Sequence, residues 1–140
     1  EIPLFKGTSG VTILKFPTYF ETTQYQKGDN EIKEIKHKIT KEQLNPLILA
    51  LEPLELNKTY KTRYIAQEYL KMAKIEADSE GRRFFDEKGY NYEMMVGNRD
   101  IYLTFWLCLK ILEFYELIKY SKSGRITKIK ENMEIQTCFE

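Results

Sequence analysis

One long apolar segment constrains the fold of this chain more than any other feature. Eleven of the residues 101–118 are Ile, Leu, Phe or Trp, and at 100° per residue they lie on all sides of a helix. With Asp100 as N-cap, the pattern predicts a helix over residues 100–120. The segment also carries three charged residues, which are Lys110, Glu113 and Glu116. Each charge would cost about 2.5 kcal/mol or more at the centre of a bilayer, so we expect no membrane association and a helix in the middle of a bundle.

The rest of the chain divides into an arm and a helical body. We assign residues 1–30 to an N-terminal arm and residues 31–140 to a helical domain. In the arm, residues 11–16 predict one short strand, which either pairs with a segment near the C-terminus or is partly disordered. From residue 31 onward the hydrophobic pattern is typical of helices.

Start and stop signals define the helices of that body. Thr40 and Gln43 fit a capping box, with Asn45-Pro46 as a competing start, and predict a helix to residue 54. The same signals predict a helix over residues 59–75 and a short helix that Ser79 caps, which runs through Phe84 and Phe85 and stops at Gly89. They also predict a loop over residues 90–99 and a short helix or strand from residue 125. The predicted fold is mainly α, a compact helical bundle with at most a minor β element.

Charge and cysteine content exclude several classes of protein. Lys and Arg total 22 against 21 Asp and Glu, a formal net charge of +1, so the whole chain has no basic excess for nucleic acid. The two cysteines, Cys108 and Cys138, are too few for a four-cysteine site and favour a reducing, cytoplasmic location. No phosphate-binding glycine loop, nucleophile elbow or metal-binding His pair occurs, and the one histidine, His37, lies in a charged segment. We therefore expect no catalytic residue and no metal site.

The overall balance hides a local basic segment. Residues 58–74 contain five basic residues and one acidic residue, Glu68, a net charge of +4. The basic residues are Lys58, Lys61, Arg63, Lys71 and Lys74. On one helix, Arg63, Lys71 and Lys74 would share a face opposite the apolar side chains. Such a face either binds anions or is simply solvated.

Tyrosines lie close to this basic segment in the sequence. Tyr60 precedes Arg63 by three residues, and the segment 89–92 carries Tyr90 and Tyr92. Tyrosine rings next to cations are suited to stacking on bases and contacting phosphates, although such rings also pack loops onto a bundle. The candidate nucleotide- or DNA-binding residues are Tyr60, Arg63, Lys71, Tyr90, Tyr92 and Arg99.

Several blocks of the sequence resemble a known family. The run RYIAQEYLK, residues 63–71, resembles the segment of the C-terminal domain of the large primase subunit in which an arginine is followed at +7 and +8 by Leu-Lys. Further blocks are similar in the order that the family has: upstream Pro46-Leu47 with Ala50-Leu51, and downstream Phe84-Phe85, Tyr90-Asn91-Tyr92 and Cys108-Leu109-Lys110-Ile111-Leu112. Together the blocks span residues 46–112.

The same comparison shows a departure. The family domain holds an iron–sulfur cluster through four cysteines, and only Cys108 matches one of those ligands, so we expect no cluster. A cluster-free, shortened domain on a chain of its own is similar to the PriX family, the third, non-catalytic primase subunit of some archaea.

This resemblance implies an accessory subunit of a DNA primase, not an enzyme by itself. Such a subunit binds the initiating nucleoside triphosphate and the template or primer 5′ end, while the catalytic subunit supplies the metal ions. The implied partners are the small catalytic and large primase subunits, single-stranded DNA template and the 5′ end of an RNA or DNA primer. In this interpretation Arg63 and Lys71 contact phosphates, Tyr60, Tyr90 and Tyr92 position base or sugar, and Arg99 is a further candidate.

Two other functions fit the pattern. Residues 40–76 also match a helix-turn-helix, and residues 119–137, with Gly124 in the middle, match a wing hairpin, which together indicate a winged-helix DNA-binding regulator. The neutral charge and the long apolar helix count against it. The third alternative is a structural adaptor whose aromatic helix is an interface.

Overall fold

The chain contains both helices and strands, and its first four elements are strands. The computed structural model describes residues 4–6, 12–16, 19–130 and 133–137. The helices are α1 (Lys41–Leu51), α2 (Thr62–Met72), α3 (Tyr92–Gly97) and α4 (Arg99–Phe114). The strands are β1 (Leu4–Lys6), β2 (Thr12–Phe16), β3 (Tyr19–Lys27), β4 (Ile32–Thr40), β5 (Thr59–Lys61), β6 (Phe85–Asp86), β7 (Gly89–Tyr90), β8 (Ile118–Tyr120), β9 (Arg125–Lys128) and β10 (Met133–Thr137). Within these ranges, no helix has the length and apolar character needed to cross a membrane.

The strands of the described residues form small separate sheets. One has the order β1-β2-β10, with β10 parallel to β2, and another is the long antiparallel hairpin β3-β4. A third has the antiparallel order β5-β9-β8, and β6 pairs with β7. The pairing of β2 with β10 agrees with the strand predicted within residues 11–16 and with the alternative that places its partner near the C-terminus, but the arm also contains β1 and β3, where one short strand was predicted.

The predicted helical bundle is wrong, because the chain folds as a mixed α/β protein. The clearest difference is β4, which occupies the start of the segment assigned to helices. There Ile35, His37 and Ile39 are more buried than the residues between them, and this period of two belongs to a strand. Glu34, Lys36 and Lys38 alternate with these residues and give the segment the composition of a solvated helix face. The β3-β4 hairpin also spans residues 30 and 31, where arm and body were divided.

The first helix begins where the sequence predicts. The Thr40 side chain accepts a hydrogen bond from the Gln43 N–H at 3.4 Å, and the Gln43 side-chain oxygen accepts one from the Thr40 N–H at 2.9 Å. The predicted capping box is therefore confirmed. The helix ends at Leu51 instead of Leu54, whose N–H donates to the Leu51 carbonyl in the turn that follows.

The segment between α2 and α4 differs from prediction throughout. Residues 79–85 form no helix, because Asp78 accepts hydrogen bonds from two backbone N–H groups that follow it and closes a turn. Gly89 has a φ of +113° and reverses the chain between β6 and β7, where we expected it to end a helix. The predicted loop over residues 90–99 contains α3, whose N-cap is Asn91.

The long apolar helix, α4, is shorter than predicted and less enclosed. Asn98, and not Asp100, caps it by accepting from the Ile101 N–H at 3.2 Å. The helix ends at Phe114, because Glu116 has a φ of +62° and turns the chain into β8.

The core lies between α1, α2, α4 and the inner face of the β5-β9-β8 sheet. Its buried side chains include Leu44, Leu47, Leu51, Ile65, Leu70, Phe105, Leu109, Leu112, Leu117 and Ile126. On α4 itself, Trp106 is half-buried and Phe114 is 60% exposed. One face of this apolar helix is therefore accessible to ligands, whereas a helix in the middle of a bundle would be enclosed on all sides.

Candidate nucleic-acid interface

The basic stripe predicted over residues 58–74 is not one helix face. Strand β5 occupies part of it, so α2 carries only Arg63 in its first turn and Lys71 in its last. At 1.5 Å per residue these two positions lie about 12 Å apart along the helix axis. Lys74 follows the helix with a φ of +58°. The structure therefore does not bring Arg63 and Lys71 together to bind one phosphate.

Arg63 lies beside one of the predicted tyrosines. Its guanidinium is 5.7 Å from the centre of the Tyr92 ring, a cation–π distance. The same guanidinium donates two hydrogen bonds to the carboxylate of Glu93, at 2.6 and 2.9 Å. Both partners of this pair are more than half exposed, and pairs of that kind contribute about 0.2–1 kcal/mol. An incoming phosphate of higher charge would compete with Glu93 for Arg63.

Tyr92 belongs to an aromatic cluster that sequence reasoning missed. Burial and a hydrogen bond with Tyr102 raise the pKa of Tyr92 to about 12. Tyr102 makes an edge contact with Trp106, whose ring in turn meets the Tyr120 ring edge-on at 4.8 Å. The cluster links α3, α4 and β8. The (i, i+4) spacing of Tyr102 and Trp106 is the available signal in the sequence, but the same spacing is typical of a bundle core.

Tyr60 and Tyr90 are not part of this cluster. Tyr60 lies on β5, where its ring stacks on Tyr64 at 6.1 Å and its hydroxyl accepts from the Glu55 N–H at 3.0 Å. Tyr90 lies on β7, half-buried against Phe85 with ring centres 5.9 Å apart. Both tyrosines therefore pack and position the chain, and the predicted pair Tyr90 and Tyr92 does not form one stacking platform.

The β5-β9-β8 sheet carries a group of cations on one face that the sequence pattern does not bring together. In the β5-β9-β8 sheet, Lys61 pairs with Arg125 and Thr127 pairs with both Thr59 and Lys119. Because strand residues alternate between faces, these five side chains share the outer face, and Thr127 is the only one of them that is half-buried. Within the described residues none of the three cations makes a salt bridge. We call this surface the basic sheet face.

The turn between β8 and β9 extends the basic sheet face. It contains exposed Lys122, and Gly124 adopts a φ of +80° that reverses the chain. The Gly124 carbonyl accepts from both the N–H and the hydroxyl of Thr62, at 3.0 and 2.9 Å. These bonds fix the turn to the start of α2 and thereby hold the backbone that carries Lys122.

Arg99, the last predicted residue, lies on a different element from these cations. It occupies the first turn of α4, where it lines a groove of about 640 Å³. That groove also contains Tyr102, Trp106 and Lys110. Arg99 thus shares this groove with Tyr102 and Trp106 of the aromatic cluster, whereas Arg63 contacts the cluster at Tyr92.

Cysteine and acidic residues form no metal site in the parts of the chain that the structure describes. No group of three or more His, Cys, Asp or Glu side chains is close enough there to hold an ion. Cys108 is buried in the core, and this burial raises the pKa of its thiol to about 12. Cys138 lies outside the described residues.

No protein-family model, curated protein or solved structure matches this chain.

Proposed function

We propose that the chain is a DNA-binding module of winged helix-turn-helix type. The proposal depends on the order of elements around the third sheet: helix α1, short strand β5, helices α2 and α4, then the hairpin β8-β9, with the first strand paired to the last. Winged-helix domains have this arrangement, and their hairpin is the wing. The segment with β6, β7 and α3 is then an insertion between α2 and α4.

Charge on the hairpin supports contact with phosphates. Residues 117–130 contain five basic residues and no acidic residue. Of the five, Lys128 is buried and Lys130 is half-buried, which leaves Lys119, Lys122 and Arg125 exposed beside Lys61 of β5. Cations on one face, with threonine hydroxyls between them, are suited to the phosphate backbone.

The side chains on the accessible side of α4 are poorly suited to reading base sequence, so we assign that helix a limited role in DNA recognition. It presents Leu103 and Leu107 between its cations, and such side chains offer few hydrogen bonds to base edges. The proposal therefore assigns backbone contact to the hairpin and the basic sheet face, with weak sequence preference. The objection that the chain is nearly neutral overall loses force, because the cations are concentrated on one hairpin.

Salt-dependent binding to duplex DNA tests this proposal. The variant with Lys119, Lys122 and Arg125 changed to Gln should bind a fluorescein-labelled duplex more weakly, with a log K against log salt slope reduced by about 0.9 for each phosphate that is no longer neutralised. Lys88→Gln removes an exposed cation in another turn and should leave the slope unchanged. Equal affinity and slope in all three proteins would refute the proposal.

A second candidate is the primase accessory subunit, and one contact favours it. Arg63 lies against Tyr92, which pairs a phosphate-binding cation with an aromatic ring as the resemblance of residues 46–112 implies. In that function the chain holds the initiating nucleoside triphosphate beside the template, with the small and large primase subunits as partners, and does not catalyse the transfer.

The Arg63–Glu93 pair supplies a matched test of the second candidate. In a reconstituted primase, Arg63→Ala should reduce dinucleotide synthesis far more than extension of a preformed primer, because only initiation needs the held nucleotide. Glu93→Gln removes the competing carboxylate but keeps Arg63, so initiation should persist or rise. Equal loss in both assays, or no loss for Arg63→Ala, would refute this function.

A further inference from the structure

The groove on α4 has the shape and lining of a small-molecule site. Its volume is about 640 Å³, within the range of about 300–1,000 Å³ that is usual for ligand pockets. Its walls come from one face of α4 and from Thr23 of β3. The α4 residues are Arg99, Tyr102, Leu103, Trp106, Leu107 and Lys110.

The spacing of these residues places charge at the ends and apolar surface between. Arg99 and Lys110 are eleven positions apart, so their backbones are separated by about 16 Å along the helix axis. Between them the wall consists of two aromatic and two aliphatic side chains, all half-buried. The groove is therefore longer than a single phosphate needs, and its middle section favours an apolar body.

The charged residues that line the groove favour a ligand of negative charge. Two cations line it, and none of its described lining residues is acidic. Asp100 adjoins Arg99 in sequence, but it lines a different groove together with Glu42. Neither Arg99 nor Lys110 makes a salt bridge with another described residue, so both charges are available to a ligand.

We propose that this groove binds a small amphipathic anion, a molecule with an aromatic or acyl body and a carboxylate, phosphate or sulfonate at one or both ends. The apolar body lies against Tyr102, Leu103, Trp106 and Leu107, and the acidic group pairs with Arg99 or Lys110. The groove residues lie on α4 and β3, whereas the basic sheet face lies on β5, β8 and β9, so variants at the two surfaces change different residues.

The chain contains its own reporter for the test. Trp106 is its single tryptophan and lines the groove. Titrating the full chain with 8-anilinonaphthalene-1-sulfonate should quench Trp106 fluorescence to saturation, and the neutral analogue N-phenyl-1-naphthylamine should bind more weakly. Lys110→Gln and Arg99→Gln should each weaken sulfonate binding by about fivefold and leave the neutral probe unchanged. Lys88→Gln, an exposed cation remote from the groove in sequence, is the matched control and should bind like the parent chain.

Three results would overturn the proposal. These are equal affinity for the two probes, equal weakening by all three Gln variants, and sulfonate binding that appears only in proteins with a lowered urea midpoint. The last of these would mean that the probe binds partly unfolded chains. Decanoate and decyl phosphate, added as competitors, then distinguish a carboxylate source from a phosphate source of the ligand.

Discussion

Lys128 connects the β8-β9 hairpin to the end of α1, and its replacement measures the strength of that connection. The side chain is only 3% exposed, and its Nζ donates hydrogen bonds to the carbonyls of Glu52 at 3.0 Å and Leu54 at 3.2 Å. These carbonyls lie at and just after the C-terminal end of α1, where the helix dipole also favours a positive charge.

Lys128→Met keeps most of the apolar stem and removes the donor. A hydrogen bond from a charged donor contributes about 1.5–3 kcal/mol, and a buried carbonyl left without a partner costs about 1–3 kcal/mol. Relief of the desolvation of a buried ammonium offsets part of the loss. We therefore expect the free energy of unfolding to fall by about 2–4 kcal/mol.

Urea unfolding followed by far-UV circular dichroism measures this loss. The control is Lys119→Met on the neighbouring strand, an exposed position where a change within about 0.5 kcal/mol is expected. A loss below about 0.5 kcal/mol for Lys128→Met, equal to that of the control, would refute the argument that this ammonium stabilises the junction of hairpin and helix.

Further predictions concern backbone conformation, thiol access and pH. Gly124→Ala, at a φ of +80°, should lower stability by about 1–2 kcal/mol, whereas Gly97→Ala, with open space around it, should not; equal melting temperatures would contradict this. In a Cys138→Ser background, a thiol reagent at pH 8 should modify buried Cys108 only as fast as the chain unfolds, and rapid labelling of the folded protein would contradict its burial. The raised pKa values of Cys108 and Tyr92, both about 12, mean that the folded chain keeps protons that the unfolded chain loses, so stability should be full below about pH 9 and fall toward pH 12. Urea midpoints that stay constant over that range would exclude this linkage.

Local signals in the sequence predicted local features well. The capping box at Thr40 depends on residues three positions apart, and it is present in the structure. The strand at residues 11–16 was also visible in its β-branched composition. Gly124 also marked a turn correctly, because the tolerance of glycine for a positive φ is a property of a single residue.

Features that depend on distant pairing were missed. The charged face that includes Lys61 of β5 forms only when β5 pairs with β9, more than sixty positions later. In the sequence alone, Lys61 therefore fits the basic stripe of a helix. The partner of Arg63 is Glu93, thirty residues away, and nothing in the intervening sequence indicates that contact. The three-residue strands β5 and β8 were likewise hidden, because so short a strand carries almost no periodicity.

A comparison of three ligands on the isolated chain tests the proposed DNA-binding function most directly. A duplex of about 20 base pairs, a single strand of the same length and labelled ATP are titrated in parallel by fluorescence anisotropy, at two salt concentrations. A DNA-binding module of winged helix-turn-helix type should bind the duplex in a salt-dependent way, with a dissociation constant of about 1–100 μM at physiological salt, and should bind the other two ligands more weakly. Tighter binding of ATP or the single strand, with no affinity for the duplex, would contradict the winged-helix function.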